Sequence, residues 1–227
     1  MHKMATTTRP PARLGVGIYS VAEAARLVGV QPGKVRRWID PEVGIVKRQF
    51  PVEESTLSFL ELVELHFIKM FRSGGMSLQA IRQAAEVAGR KFRSDYPFAI
   101  RRFDTDGKTI FATLQSEETD RVVVEDVLKG QRVFEGIMRP FFLKLDYHKN
   151  REALRFWPRK KTGRIVLDPV RKFGKPIDDE TGVQTCALYK AVLANEGNVA
   201  MVADWFDVPE KAVQAAVAFE ESMATAT

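Results

Sequence analysis

Apolar residues recur at helical spacing over Val21, Ala24, Ala25 and Val28, the i, i+3, i+4, i+7 signature of one buried helix face. Ser20 and Glu23, three apart and just ahead of that run, have the spacing of a capping box, which satisfies the free amides at a helix start. Gly29 supplies the positive φ of a tight turn, and Pro32 suits the first turn of a following helix. Val35, Trp38 and Ile39 continue the buried stripe, which leaves Lys34, Arg36 and Arg37 pointing outward. Ser20–Ile39 therefore reads as a helix-turn-helix whose second helix presents three cations. That shape and charge fit a major groove lined by phosphates and guanine acceptors.

Beyond Ile39, DPEVGIVKRQFPVEES carries two prolines and the pair Lys47 and Arg48; a small winged hairpin touching the DNA backbone is expected, with a plain basic loop as the alternative. Ser58 and Glu61 repeat the capping-box spacing and open the helix FLELVELHFIKMFRS. Gly74-Gly75 ends it and Ser77 caps LQAIRQAAEVAGRKF, so the two form a helical hairpin. From Phe98 the period shortens: AIRRF, DTDGK and TIFATL predict a β-hairpin with an Asp-Gly turn. Strands are expected at Val122–Val124, Leu143–Tyr147, Leu154–Trp157 and Ile165–Leu167, with a short helix around Phe134–Met138. Helical spacing returns from Thr185 to the end.

In that last segment the first pattern recurs. Shifted by 178 positions, Ser20 falls on Asn198, Val21 on Val199, Ala24 and Ala25 on Val202 and Ala203, Val28 on Phe206, Gly29 on Asp207 and Val35 on Val213. The cations do not recur: Lys34, Arg36 and Arg37 become Ala212, Gln214 and Ala215. An apolar strip of Phe206, Ala212, Ala215 and Phe219 is expected to pack against a protein partner, or equally against the chain's own sheet. The predicted architecture is α+β, mainly α. It comprises a disordered arm over 1–17, a winged helix-turn-helix with helical hairpin over 18–95, a small central antiparallel sheet over 96–163 and a C-terminal trihelical, helix-turn-helix-like domain over 164–227.

Charge sharpens the contrast. Residues 1–50 carry nine Lys/Arg against three Asp/Glu, so the whole net charge of +6 lies there and the rest of the chain balances. From Ala187 onward there are two Lys and six acidic residues, which repel DNA. The lone Cys186 excludes an intramolecular disulfide and fits a reducing cytoplasm. No apolar run approaches a membrane span, and MHKMATTTRPPARL lacks the apolar core of a signal peptide.

Enzymatic chemistry, a cofactor and a metal are not expected. There is no Gly-rich phosphate loop and no Ser/His/Asp set. His66 has no ligand-spaced partner, and the Asp104 and Asp106 pair is read as turn formers.

YSVAEAARLVGV-QPGKVRRW resembles the MerR-type helix-turn-helix, and ELHFIKMFRSGGMSLQAIRQ is similar to that family's next two helices, down to the Gly-Met-Ser-Leu turn. The resemblance covers about residues 18–92; it places Arg36 on the recognition-helix arginine and Trp38 on an aromatic position next to the DNA backbone. Ordinary members continue into a long dimerisation helix and often carry paired cysteines for metal sensing, neither of which is legible here.

IVLDPVRKFGKPI, TGVQT and GNVAMVADWFDVPEKAVQAAVAFE are similar to a small helical domain of unknown function common in bacterial toxin–antitoxin operons, with Gln184 where that domain often has proline. The combination resembles VapB-type antitoxins paired with a PIN-domain ribonuclease toxin. This likeness implies a dimeric, DNA-binding autorepressor that neutralises its toxin. Ser20, Lys34, Arg36, Arg37, Trp38, Lys47 and Arg48 are the expected contacts to double-stranded operator DNA. The alternative is a MerR-like one-component transcription regulator whose central domain dimerises or binds a small ligand, with Phe141, Phe156 and Trp157 lining either a pocket or a core.

Overall fold

The computed structural model describes residues 15–51, 54–104, 106, 107, 109, 110, 136, 138–148, 152–159 and 161–224. A two-residue strand β1 (Tyr19–Ser20) leads into α1 (Val21–Val28) and α2 (Pro32–Trp38), and pairs antiparallel with β2 (Thr56–Leu57). Helices α3 (Phe59–Ser73) and α4 (Leu78–Phe92) follow. Ser58 and Glu61 close a reciprocal capping box on α3, Gly74 ends it, and the Ser77 hydroxyl accepts from the Ala80 amide to start α4.

Among the described residues the expected winged hairpin is not formed. No strand lies in the described part of 40–55; the amides of Ile45 and Val46 instead donate to the Trp38 carbonyl at 2.8 and 3.0 Å and fold the loop onto α2.

The Asp-Gly hairpin is also corrected. Residues 102–104, 106, 107, 109 and 110 are helical, and Ile100, Phe103 and Ile110 are buried at helical rather than alternating spacing. Phe103 lies 4.9 Å from the Phe98 ring and 6.3 Å from that of Phe67, within an aromatic cluster that also takes in Phe71 and Phe142. Packing those rings outweighs the local turn preference of Asp and Gly. Val122–Val124 and most of Phe134–Met138 lie outside the described residues.

The remaining strands form one antiparallel meander. After the short helix α5 (Arg139–Phe142) come β3 (Leu145–Tyr147), β4 (Ala153–Phe156), β5 (Ile165–Leu167) and β6 (Pro176–Asp178), paired in that order. Three helices end the chain: α6 (Thr185–Ala194), α7 (Val199–Phe206) and α8 (Glu210–Ala224). They share a core of Leu188, Val192, Val202, Ala203, Val208, Ala212, Val213 and Ala216.

A larger core is continuous from α1 through α3 and α4 to the sheet, and Phe219 of α8 belongs to it. The two ends of the chain are therefore stitched together. The Tyr19 hydroxyl donates to the Gly174 carbonyl at 2.6 Å, and the Ile18 amide donates to the Phe173 carbonyl at 2.9 Å. Lys175 pairs with Glu23, and Arg26 with Glu220.

Candidate nucleic-acid interface

Ser20 caps α1, its hydroxyl accepting from the Glu23 amide at 3.2 Å. Gly29 takes the left-handed conformation (φ 73°), and its amide returns to the carbonyls of Ala25 and Arg26. That geometry sets the angle at which α2 leaves α1. Val35 and Trp38 anchor α2 inward, while Lys34, Arg36 and Arg37 are exposed. Among the described residues no carboxylate pairs with any of the three.

The two cations expected on the following loop, Lys47 and Arg48, are both paired. Arg48 is half-buried; it donates to Glu61 at 2.9 Å and to the carbonyls of Glu54 and Thr56 at 3.0 and 2.6 Å. Glu61 is fully buried, so Arg48 is the counter-ion of an enclosed carboxylate and not a phosphate contact as expected. Trp38, 5% exposed, is likewise a core residue and not an open surface contact. Lys47 stays exposed beside Asp95 at 2.6 Å, a solvated pair that a phosphate can displace at little cost. The structure thus assembles Lys34, Arg36 and Arg37 on one short helix with Ser20 at the neighbouring helix start, and removes Trp38 and Arg48 from the set.

Residues 19–87 match the family described as MerR HTH family regulatory protein. They are a MerR-like helix-turn-helix. A Mycobacterium tuberculosis protein bearing the antitoxin name VapB45 is 24% identical over an alignment of 223 residues, covering 88% of this chain and 92% of that protein. The crystal structure of Rv2018 from Mycobacterium tuberculosis matches with a TM-score of 0.73 at 21% identity over 91% of this chain and 100% of the other, so the two share a fold. A helix-turn-helix of this type suggests binding to DNA. Among the described residues no helix is long and apolar enough to cross a membrane.

The second copy of the MerR-like template keeps its local geometry. Asn198 caps α7 through the Met201 amide at 3.0 Å, and Asp207 sits at φ 50° where Gly29 sits at 73°, returning its amide to Ala203 and Asp204. At two positions its surface follows the internal-packing alternative rather than the partner-binding one. Ala212 is fully buried in the α6–α8 core and Phe219 is 1% exposed in the larger one, so neither is a partner contact. The cause is that α8 packs on two cores and needs two buried faces, whereas α2 needs one. Ala215 is half-buried, and Phe206 remains partly exposed at 36%.

What the sequence pattern missed is Trp205, 62% exposed, with Met201 one turn before it at 42%. Trp205 and Phe206 occupy the template positions of Leu27 and Val28, which are 7% and 1% exposed. In the first copy those positions are covered by the larger core; in the second they are bare. The acidic loop Asp178–Glu180 is neutralised internally, by Arg164 on Asp178 at 2.6 and 2.9 Å, Arg171 on Asp179 at 2.7 Å and Arg164 again on Glu180 at 2.8 Å.

Proposed function

We propose that this protein is the DNA-binding antitoxin of a toxin–antitoxin pair. As a homodimer it binds its own operator and represses transcription, and it neutralises a PIN-domain ribonuclease in the cytoplasm; it catalyses no reaction itself. The observation that carries the reading is the α2 surface, where Lys34, Arg36 and Arg37 stand exposed without a carboxylate partner among the described residues. The VapB45 name of the relative supports the antitoxin assignment.

In the complex, α2 enters the major groove with Arg36 and Arg37 on base edges or phosphates, and Lys34 and Lys47 on the backbone. Two copies place their α2 helices about 34 Å apart on a palindromic site. The toxin covers the bare Met201, Trp205 and Phe206, an aromatic anchor of the kind that dominates protein interfaces.

Co-expression with the product of the adjacent gene tests this reading. A stable complex that loses ribonuclease activity, and that Trp205→Ala weakens while operator binding survives, supports it. An adjacent product that never co-purifies contradicts it.

A further inference from the structure

A cavity of about 230 Å³ opens where α1, α3, the sheet and α8 meet. Its walls are largely apolar: Leu27, Phe141, Phe156, Phe219 and Met223 line it. Two lysines enter the same space. The Lys69 ammonium donates to the carbonyl of Val28, the last residue of α1, at 2.7 Å, and the Lys144 ammonium donates to the Pro158 carbonyl at 3.0 Å. Each amine has three donors, and among the described residues neither has a carboxylate partner. No acidic side chain lines the cavity.

The remaining polar group is His66. Its ring lies 5.4 Å from that of Phe141 and 4.9 Å from that of Phe156, and its Nε2 is buried without a hydrogen-bond partner among the described residues. Burial, with the positive charges of Lys69 and Lys144 nearby, pushes its pKa down to about 3, so the imidazole is neutral at physiological pH. The cavity therefore holds two under-used cations and no anion, in walls that favour a hydrocarbon body.

We propose that this cavity is a binding site for a small carboxylic acid with an apolar body, its carboxylate held between Lys69 and Lys144 and its hydrocarbon among Phe141, Phe156 and Phe219. Charge-assisted bonds from two ammonium groups in a partly dry site supply affinity for the anion that an alcohol or amine of the same shape cannot draw on. The occupant touches α1 at its last residue and α8 at Phe219 and Met223, so it sits at the joint between the DNA-reading motif and the C-terminal helices. The site stands on its own, independent of any toxin.

The test uses the full chain and three probes of one length: octanoate, 1-octanol and octylammonium. Calorimetric titration is expected to give one octanoate per chain, bound at least about tenfold tighter than octanol, with octylammonium weaker again. Lys69→Gln and Lys144→Gln are each expected to weaken octanoate at least about fivefold while leaving octanol unchanged. Each lysine makes one bond to a backbone carbonyl, so neither change removes a core contact. The His66 Cε1–H resonance reports occupancy at the site itself and is expected to move on octanoate addition. Equal affinity for the three probes, octanoate binding indifferent to both lysine variants, no binding at millimolar probe, or a stationary His66 resonance at saturation each overturns the proposal.

Discussion

Arg26 and Glu220 meet at 2.8 Å and join the last turn of α1 to α8, so the helix-turn-helix is braced by the C-terminal helix. Glu220 is largely buried and also accepts from the Thr185 hydroxyl, which makes it a hub between α1, α6 and α8. Glu220→Ala leaves both donors without their acceptor. It is expected to lower stability by about 1–3 kcal/mol, read as a shifted denaturant midpoint with unchanged slope. An unchanged midpoint contradicts the brace.

Arg48 and Lys47 are adjacent cations with opposite duties. Arg48→Ala strands the buried Glu61 carboxylate and is expected to cost about 3–5 kcal/mol. Lys47→Ala is expected to stay within about 0.5 kcal/mol of the parent, because its pair with Asp95 is solvated. Thermal unfolding of the two variants side by side checks the difference; similar melting temperatures defeat it.

Glu64 gives the fold a pH signature. The residue is 2% exposed, and burial raises its pKa from 4.5 to about 8, against the opposing pull of the Ala99 and Phe98 amides. A folded-state value above the unfolded one means that the fold prefers the protonated acid. Glu64's contribution to stability is thus whole below about pH 4.5 and declines as pH rises through about 8. Replacing it with Gln keeps an acceptor for the Ala99 amide and removes the titration. Chemical denaturation from pH 5 to 8.5 is expected to show the parent losing stability relative to Glu64→Gln as pH rises; parallel curves contradict it.

Gly174 sits at φ 79° where its carbonyl takes the Tyr19 hydroxyl bond, and a Cβ there would collide with that hydroxyl. Gly174→Ala is therefore expected to destabilise by about 1–3 kcal/mol. A control at Gly33, which faces open space in α2, is expected to tolerate Ala. Matched calorimetric scans distinguish the two sites, and equal melting temperatures argue against a tight joint.

Caps and turns were readable because their chemistry is local. Ser20, Gly29, Ser58 with Glu61, Ser77 and Asn198 each act where their side chains reach backbone amides or allow a left-handed residue. Elements decided by distant packing were not. Asp104 to Gly107 carries a turn signal, yet Phe103 and Ile110 are drawn into the aromatic cluster at helical spacing, a period present in the sequence but overridden there by the Asp-Gly signal.

The candidate site divides the same way. Arg36, Arg37 and Lys34 follow from the face opposite Val35 and Trp38. Arg48, by contrast, is set apart from Lys47 by Glu61, thirteen residues on and itself part of a helix cap, and by the carbonyls of Glu54 and Thr56. Alanine is small enough to sit on either side of a helix, so Ala212 gave no warning that α8 buries two faces.

If the exposed cations of α2 read DNA, the salt dependence of binding shows it most directly. Each phosphate contact contributes about −0.9 to the slope of log affinity against log salt. The triple change of Lys34, Arg36 and Arg37 to Ala is expected to flatten the slope on operator DNA by about 2–3 and abolish preference over random duplex, with the melting temperature unchanged. A triple variant that keeps the parental slope and preference contradicts the account.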